Sequence, residues 1–144
     1  MYRVTFVSSL FAADQHDQEQ SQETLSLLLE CLVQMNERLL RARSDVPLLY
    51  ESGVRYDPEP LGQENWQDCV TTWRRKRGDC EDLASWRAAE LRVRYGLRAR
   101  CIYTWRRLPN GVLMYHIKVE YTGPDGRTHE EDPSRRLGMN SAAA

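Results

Sequence analysis

The sequence predicts a single α+β domain in which helices come before an antiparallel sheet. Two turn signals predict the sheet: Asn110-Gly111 and Asp125-Gly126 separate three segments rich in aromatic and β-branched residues, and both dipeptides are preferred in β-hairpin turns. A third observation predicts the helix before the sheet, because Asp79 can cap its start and Gly96 can end it. One strand, then helices, then a three-stranded meander is the order of an α+β domain.

The N-terminal part of the chain predicts one strand followed by one long helix. Residues 2–10 alternate in a β-branched and aromatic setting, which is typical of a strand. Helix-start signals at Asp17 and Ser21 precede leucines at helical spacing that continue to about residue 43. Cys31 lies within this helix and is interpreted as a packing residue.

Between this helix and the next, prolines and glycines predict a long loop over residues 45–63. Loops of this length in compact domains often carry function. A short second helix is predicted over residues 64–77, because Trp66, Val70 and Trp73 would share one of its faces. Gly78 would end this helix and Asp79 would begin the following one.

The composition of the chain indicates a single soluble globular domain. The chain has 144 residues, 41% hydrophobic and 28% charged, with a net charge of −1, which is ordinary for one soluble domain over residues 1–144. Its four cysteines form no C-x-x-C pair and its three histidines form no H-x-x-x-H pair. We therefore expect no structural metal, no cofactor and no dithiol redox activity.

The same survey argues against membrane and nucleic-acid partners. No apolar run approaches the roughly 18 residues of a membrane span, and the basic run at residues 74–77 lacks interleaved aromatics. Residues 1–15 resemble a short signal peptide, but their alternation fits a strand better. The expected location is therefore the cytoplasm, where all four thiols are reduced.

Cys80 is a candidate for a reactive thiol. If Asp79 caps the helix, the Cys80 sulfur faces free backbone N–H groups and the positive end of the helix dipole, which together lower a thiol pKa by about one unit. Asp79, Glu81 and Asp82 oppose this effect, so a thiolate at neutral pH needs a cationic partner such as an imidazolium. The alternative interpretation is a well-formed helix start in which the cysteine only fills space.

His116 and Asp132 supply the missing groups. His116 lies on the polar face of the strand VLMYHIKVEY, and a turn at residues 123–126 would place it opposite residues 132–135 of the next strand. Asp132 can then reach the imidazole, with Glu130 as the alternative carboxylate and His129 as the alternative base. Cysteine, histidine and aspartate in this order form a nucleophile, base and orienting group.

Three segments together, GDCEDLASWRAAELR, YHIKVEY and EDPSRRLGM, resemble the transglutaminase-like cysteine protease superfamily over about residues 50–139. The similarity is greatest to small members encoded among the structural genes of tailed phages and prophages. The resemblance implies a papain-like α+β core, with the nucleophile helix packed on an antiparallel sheet and the strand and helix of residues 2–43 added before it. It also implies that Cys80 is the nucleophile, His116 the base and Asp132 the orienting group.

The function that we expect is cleavage of an amide or peptide bond through a thioacyl intermediate, with transfer to an amine as a second possibility. The Cys80 backbone N–H would stabilise the oxyanion, and Trp66, Gln63 and Tyr56 are candidates for the second donor. A different class of function is a phage structural or assembly module that binds a partner, with the basic run at 74–77 in the interface. Expected partners are a protein or peptide substrate and phage structural proteins, in the host cytoplasm or on the virion.

Overall fold

The fold is described by a computed structural model that covers residues 4, 5, 7, 15–60, 63–111 and 113–140. Apart from residues 4, 5 and 7, the strand predicted over residues 2–10 lies outside these described residues. The helices are α1 (Gln15–Ala42), a 3₁₀ turn (Leu49–Glu51), α2 (Cys69–Arg75), α3 (Cys80–Tyr95) and α4 (Pro133–Arg136). The strands are β1 (Arg55–Tyr56), β2 (Arg77–Gly78), β3 (Arg98–Arg107), β4 (Leu113–Thr122) and β5 (Thr128–Glu131).

The predicted meander is confirmed, and with it the α+β class. Strands β3, β4 and β5 form an antiparallel sheet in that order, with Tyr103 opposite Ile117 and Val119 opposite Glu131. The two turns fall at the Asn-Gly and Asp-Gly dipeptides, as their turn propensity requires. No helix among the described residues is both long and apolar enough to cross a membrane.

Helix α3 is the centre of the fold. It begins after Asp79, which forms a capping box with Asp82, and it ends at Gly96 in the left-handed conformation with φ 64°, as the sequence predicts. One side of α3 packs on α1 and another on β3 and β4. Its Trp86 is fully buried together with Ile117 of β4, so the helix that carries Cys80 is held in the hydrophobic core.

The segment before α3 differs from the prediction. Helix α2 begins at Cys69 rather than near residue 64, because Asp68 caps it by accepting a hydrogen bond from the Thr71 N–H at 2.8 Å. The Gln67 N–H donates instead to Asp82 Oδ1 at 2.6 Å, so the chain before Asp68 is extended and tied to α3. Lys76, with φ 60°, ends α2 in place of the predicted Gly78.

Gly78 instead allows the side chains of Thr72 and Asp82 to approach the backbone closely. It pairs with Tyr56 in the two-residue parallel ladder of β1 and β2, and a Cβ at this position would lie 2.9 Å from Thr72 Cγ2 and 3.0 Å from Asp82 Cβ. Only glycine fits between these groups without displacing them. The segment predicted as a long loop over residues 45–63 contains the 3₁₀ turn and β1. Strand β1 attaches it to Gly78, the residue before Asp79.

Cys31 is exposed on α1, and its interpretation as a packing residue is wrong. The buried stripe of α1 runs through residues at helical spacing on the opposite side: Leu25, Leu29, Leu32, Val33, Asn36 and Leu40. Cys31 lies off this stripe, although neighbouring positions belong to it. The exposed thiol has to be removed in any experiment that measures the reactivity of Cys80.

Candidate active site

His116 and Asp132 lie in direct contact. Strand β5 ends at Glu131, opposite Val119 of β4, and Asp132 is the next residue. This register falls within the predicted range and brings Asp132 Oδ2 to 2.8 Å from His116 Nε2. Both side chains are mostly buried, at 17% and 14% exposure. A carboxylate and an imidazole at this distance form a charge-assisted hydrogen bond when the ring is protonated.

Asp132 has a second task as the N-cap of α4. Its Oδ1 accepts a hydrogen bond from the Arg135 N–H at 3.2 Å. Burial acts to raise the pKa of the Asp132 carboxyl, but the bonds from His116 and Arg135 outweigh it, and this pKa lies below its ordinary value. Asp132 is therefore a fixed anion with one oxygen held by the imidazole and the other by a helix start.

The Cys80 thiol reaches β4 but does not bond to the imidazole. Among the influences on the Cys80 pKa, the backbone of Ile117, the residue after His116, acts to lower it but is outweighed by burial and neighbouring acids. The thiol itself donates to Glu81 Oε2 at 2.9 Å. The sulfur thus lies beside the strand that carries His116, with its proton directed to a carboxylate.

At Cys80 the influences that oppose ionisation outweigh the helix dipole, which the flanking acids in the sequence already indicated was insufficient by itself. Burial raises the pKa of the Cys80 thiol well above its ordinary value, and the adjacent carboxylates of Glu81 and Asp79 add to the effect. Cys80 is only 9% exposed, and an anion in such surroundings loses its hydration. The resting thiol is therefore protonated, and little of it is accessible to solvent.

Sequence reasoning named Glu81 only as an acid that opposes ionisation of Cys80, and it missed that this side chain is buried and bonded to the thiol. It is 2% exposed, and its Oε1 accepts a hydrogen bond from the Tyr115 hydroxyl at 3.2 Å. Burial, followed by the charge of Asp79, raises the pKa of the Glu81 carboxyl. Acids in the first turn of a helix usually face solvent and complement the dipole, so no local signal marks Glu81 as a buried partner of the thiol.

The three candidates for the second oxyanion donor are placed differently. Burial, then the charges of Cys80 and Asp79, raise the pKa of the Tyr56 hydroxyl to about 12, so this hydroxyl is in the electrostatic field of Cys80. Trp66 is half-buried, and its indole N–H donates to Glu64 at 3.3 Å. Gln63 is exposed, and its backbone N–H donates to the Pro60 carbonyl at 3.0 Å.

An acidic group adjoins the start of α3. Carboxylate oxygens of Glu59, Glu64 and Asp79 lie within 4.8 Å of one another, a spacing that could hold a metal ion. Asp79 is 7% exposed, and its Oδ1 has no hydrogen-bond partner among the described residues. Burial raises the pKa of the Asp79 carboxyl to about 6. No short-range spacing marks this group, since Glu59 and Asp79 are separated by a loop and a helix.

We expect Asp79→Asn to reduce the loss of stability as the pH rises. The folded state holds the Asp79 proton more tightly than the unfolded chain, so this stability is full below pH 3.8 and is lost as the pH rises through about 6. Asparagine keeps the N-cap but cannot ionise. Between pH 4 and pH 7, the free energy of unfolding measured in urea should fall on the order of 2 kcal/mol less in the variant. Equal slopes would contradict this, and Asp57→Asn, an exposed control, should match the unmodified protein.

Comparison with known proteins finds a partial similarity to a solved structure. No family model matches the chain, and no curated protein matches it in sequence. The periplasmic domain of TgpA from Pseudomonas aeruginosa, determined with ethylmercury bound, is similar with a TM-score of 0.43 and 19% identity over 76% of this chain. The chain spans 45% of the length of that domain. Values this low do not establish a family or an activity.

Proposed function

We propose that the protein is a thiol-dependent acyl-transfer enzyme that cleaves an amide or peptide bond. The observation that carries the proposal is the 2.8 Å bond between His116 and Asp132, with His116 on the strand that packs against the Cys80 helix. A cysteine, an imidazole and a carboxylate that orients the imidazole are the groups required for covalent catalysis by a thiol. The transglutaminase-like resemblance of the same three segments agrees with this assignment.

In the proposed reaction, Cys80 Sγ attacks the carbonyl carbon while its proton passes to the His116 imidazole. The carbon–nitrogen bond then breaks, and the leaving amine takes that proton from His116, which leaves a thioester on Cys80. Water, deprotonated by His116, attacks the thioester and releases the acid and the thiol. An amine in place of water would give a transamidation product, which we propose as the second outcome.

Asp132 determines which ring nitrogen acts as the base. The Asp132 carboxylate can only accept a hydrogen bond, so the His116 Nε2 beside it carries the hydrogen. The lone pair of the neutral ring is then on Nδ1. We assign Nδ1 as the atom that takes the thiol proton. For this transfer the thiol has to turn from Glu81 to the ring, so the bond of 2.9 Å to Glu81 describes a resting state.

The oxyanion of the tetrahedral intermediate requires two donors. The backbone N–H of Cys80 is one, because it belongs to the first turn of α3 and has no partner within the helix. We propose the Tyr56 hydroxyl as the second, in preference to Trp66 and Gln63. Tyr56 is positioned by the ladder with Gly78, two residues before the nucleophile.

A second candidate function is a binding module with the same fold and an idle thiol. The observation in its favour is the burial of Cys80, with its proton bonded to Glu81. The basic run is a weaker argument for such an interface, since Lys76 Nζ donates to the Ser52 carbonyl at 2.7 Å and Arg75 donates to Gln67 at 3.0 Å. We propose phage structural proteins as partners in this case, and a protein or peptide substrate otherwise, in the host cytoplasm or on the virion.

Acylation of Cys80 by activated peptides tests the proposal. The Cys31→Ser protein would be treated with a panel of peptide thioesters, digested, and searched by mass spectrometry for acylated cysteine. We expect the adduct on Cys80, its loss in Cys80→Ser and a slower rate in His116→Ala. Acylation at Cys80 with the same rate in His116→Ala, or no acylation at Cys80 with any probe, would overturn the enzymatic assignment and favour the binding module.

A further inference from the structure

A buried ion-pair network holds the end of β5 against α3. Arg87 of α3 donates from Nε to Glu131 Oε1 at 2.9 Å and from Nη2 to Glu131 Oε2 at 3.3 Å. The third nitrogen of the guanidinium, Nη1, pairs with Glu90. The side chains of Arg87, Glu131 and Glu90 are 13%, 15% and 1% exposed. A two-pronged contact of this kind fixes orientation as well as distance.

Other elements complete the network around these charges. The Tyr50 hydroxyl donates to Glu131, and Glu90 Oε2 accepts from the Leu49 N–H at 2.7 Å. The guanidinium of Arg136 lies 3.8 Å from the centre of the Tyr50 ring, a distance suited to a cation–π contact. The 3₁₀ turn and α4 are thereby joined to the contact between α3 and β5.

Glu131 directly precedes Asp132, and the two side chains have different partners. Consecutive residues of an extended chain point to opposite sides, and Glu131 contacts α3 while Asp132 contacts His116 of β4. Arg87 lies seven residues after Cys80, about two helical turns further along the same helix. Helix α3 and the Arg87–Glu131 ion pair therefore connect the proposed nucleophile to the end of β5.

We propose that Glu131 is a positioning residue of the candidate active site, which keeps Asp132 on His116 by fixing the end of β5 to the Cys80 helix. The inference rests on the proposed function and deepens it. Strand β5 pairs with β4 over only four residues, which by itself restrains its end weakly. Buried ion pairs contribute little net stability, so fixed geometry is a better account of this network than stability.

The test compares two charge-to-amide changes on partners of the same helix. In the Cys31→Ser background, Glu131→Gln breaks the pair with Arg87, and Glu30→Gln breaks the matched pair of Arg92, whose nitrogens contact Glu30 at 2.8 and 2.9 Å. The rate of Cys80 acylation by a peptide thioester would be measured from pH 5 to pH 9. We expect Glu131→Gln to be about tenfold slower, because a displacement of about 1 Å can cost up to about 100-fold. Its pH of half-maximal rate should also shift, while Glu30→Gln keeps the original profile.

Each outcome decides the inference. An unchanged rate and pH profile in Glu131→Gln, or an equal change in Glu30→Gln, would overturn it. If Glu131→Gln does not fold, Arg87→Lys keeps the positive charge but removes the two-pronged contact with Glu131, and a rate and profile identical to those of the starting protein would overturn the inference. Failure of the proposed function is distinguishable, since acylation of the unmodified Cys80 would then not depend on His116 at all.

Discussion

Asp132→Asn should preserve the fold and lower the rate of Cys80 acylation by more than about tenfold. Asparagine can still cap α4, but its amide can donate to Nε2 and so favour the wrong tautomer of His116. The equivalent change in serine triads costs about ten-thousand-fold. We expect a smaller loss here, because a thiol gives up its proton more readily than a hydroxyl does. Thioester acylation at pH 7, followed by mass spectrometry, measures the effect.

Glu130→Gln is the matched control for this experiment. Glu130 precedes Asp132 by two residues, but its side chain is 57% exposed and lies 3.7 Å from Lys118. Removing its charge should leave acylation within about twofold of the original rate, since surface ion pairs contribute little. Survival of activity in Asp132→Asn together with its collapse in Glu130→Gln would identify Glu130 as the orienting group.

Glu81→Gln should make Cys80 more reactive at neutral pH. Within the buried pair of Cys80 and Glu81, the first negative charge resides on the carboxyl, because it is the stronger acid. A second charge beside it is opposed by repulsion of a few kcal/mol at this separation. With glutamine at position 81, the thiol is the group of the pair that can ionise. Alkylation of Cys80 by iodoacetamide at pH 7, in the Cys31→Ser background, should be at least about tenfold faster.

Tyr115→Phe separates this charge effect from loosened packing. The variant loses the bond of 3.2 Å to Glu81 Oε1 but keeps the carboxyl beside the thiol. Alkylation of Cys80 should therefore not accelerate. An equal increase in both variants would mean that access to the sulfur, rather than its ionisation, limits the reaction.

The parts of the fold that the sequence predicts are those with local signals. The start of α3 at Asp79 and its end at Gly96 depend on caps, and the two hairpins depend on turn dipeptides, so each is determined within a few residues. The register of the last hairpin follows from its turn, which is why the proximity of His116 and Asp132 could be expected. The catalytic roles of these residues stay predictions.

The parts that sequence reasoning missed depend on contacts between distant segments. Strands β1 and β2 have two residues each, too few for any periodic pattern, and α2 starts late because Gln67 bonds to Asp82. Its place within a leucine-rich helix led to the interpretation of Cys31 as a packing residue, but Cys31 is exposed because it lies off the buried stripe of α1. The protonated state of Cys80 arises from burial beside Glu81, and the degree of burial of a first-turn acid is set by the whole fold.

The segment between residues 57 and 67 is attached to the region around Cys80 at both of its ends, and this affects how such a protein can diversify. The segment is tied at one end where the Asp57 N–H donates to the Gly78 carbonyl at 3.0 Å, and at the other where Gln67 binds Asp82. Both anchors lie on the residues that flank Cys80. Insertions between positions 57 and 67 should therefore have little effect on the position of Cys80, because closing a longer loop costs only fractions of a kcal/mol. Descendants of this chain could therefore vary in length and sequence between these positions while keeping the backbone around Cys80 in place.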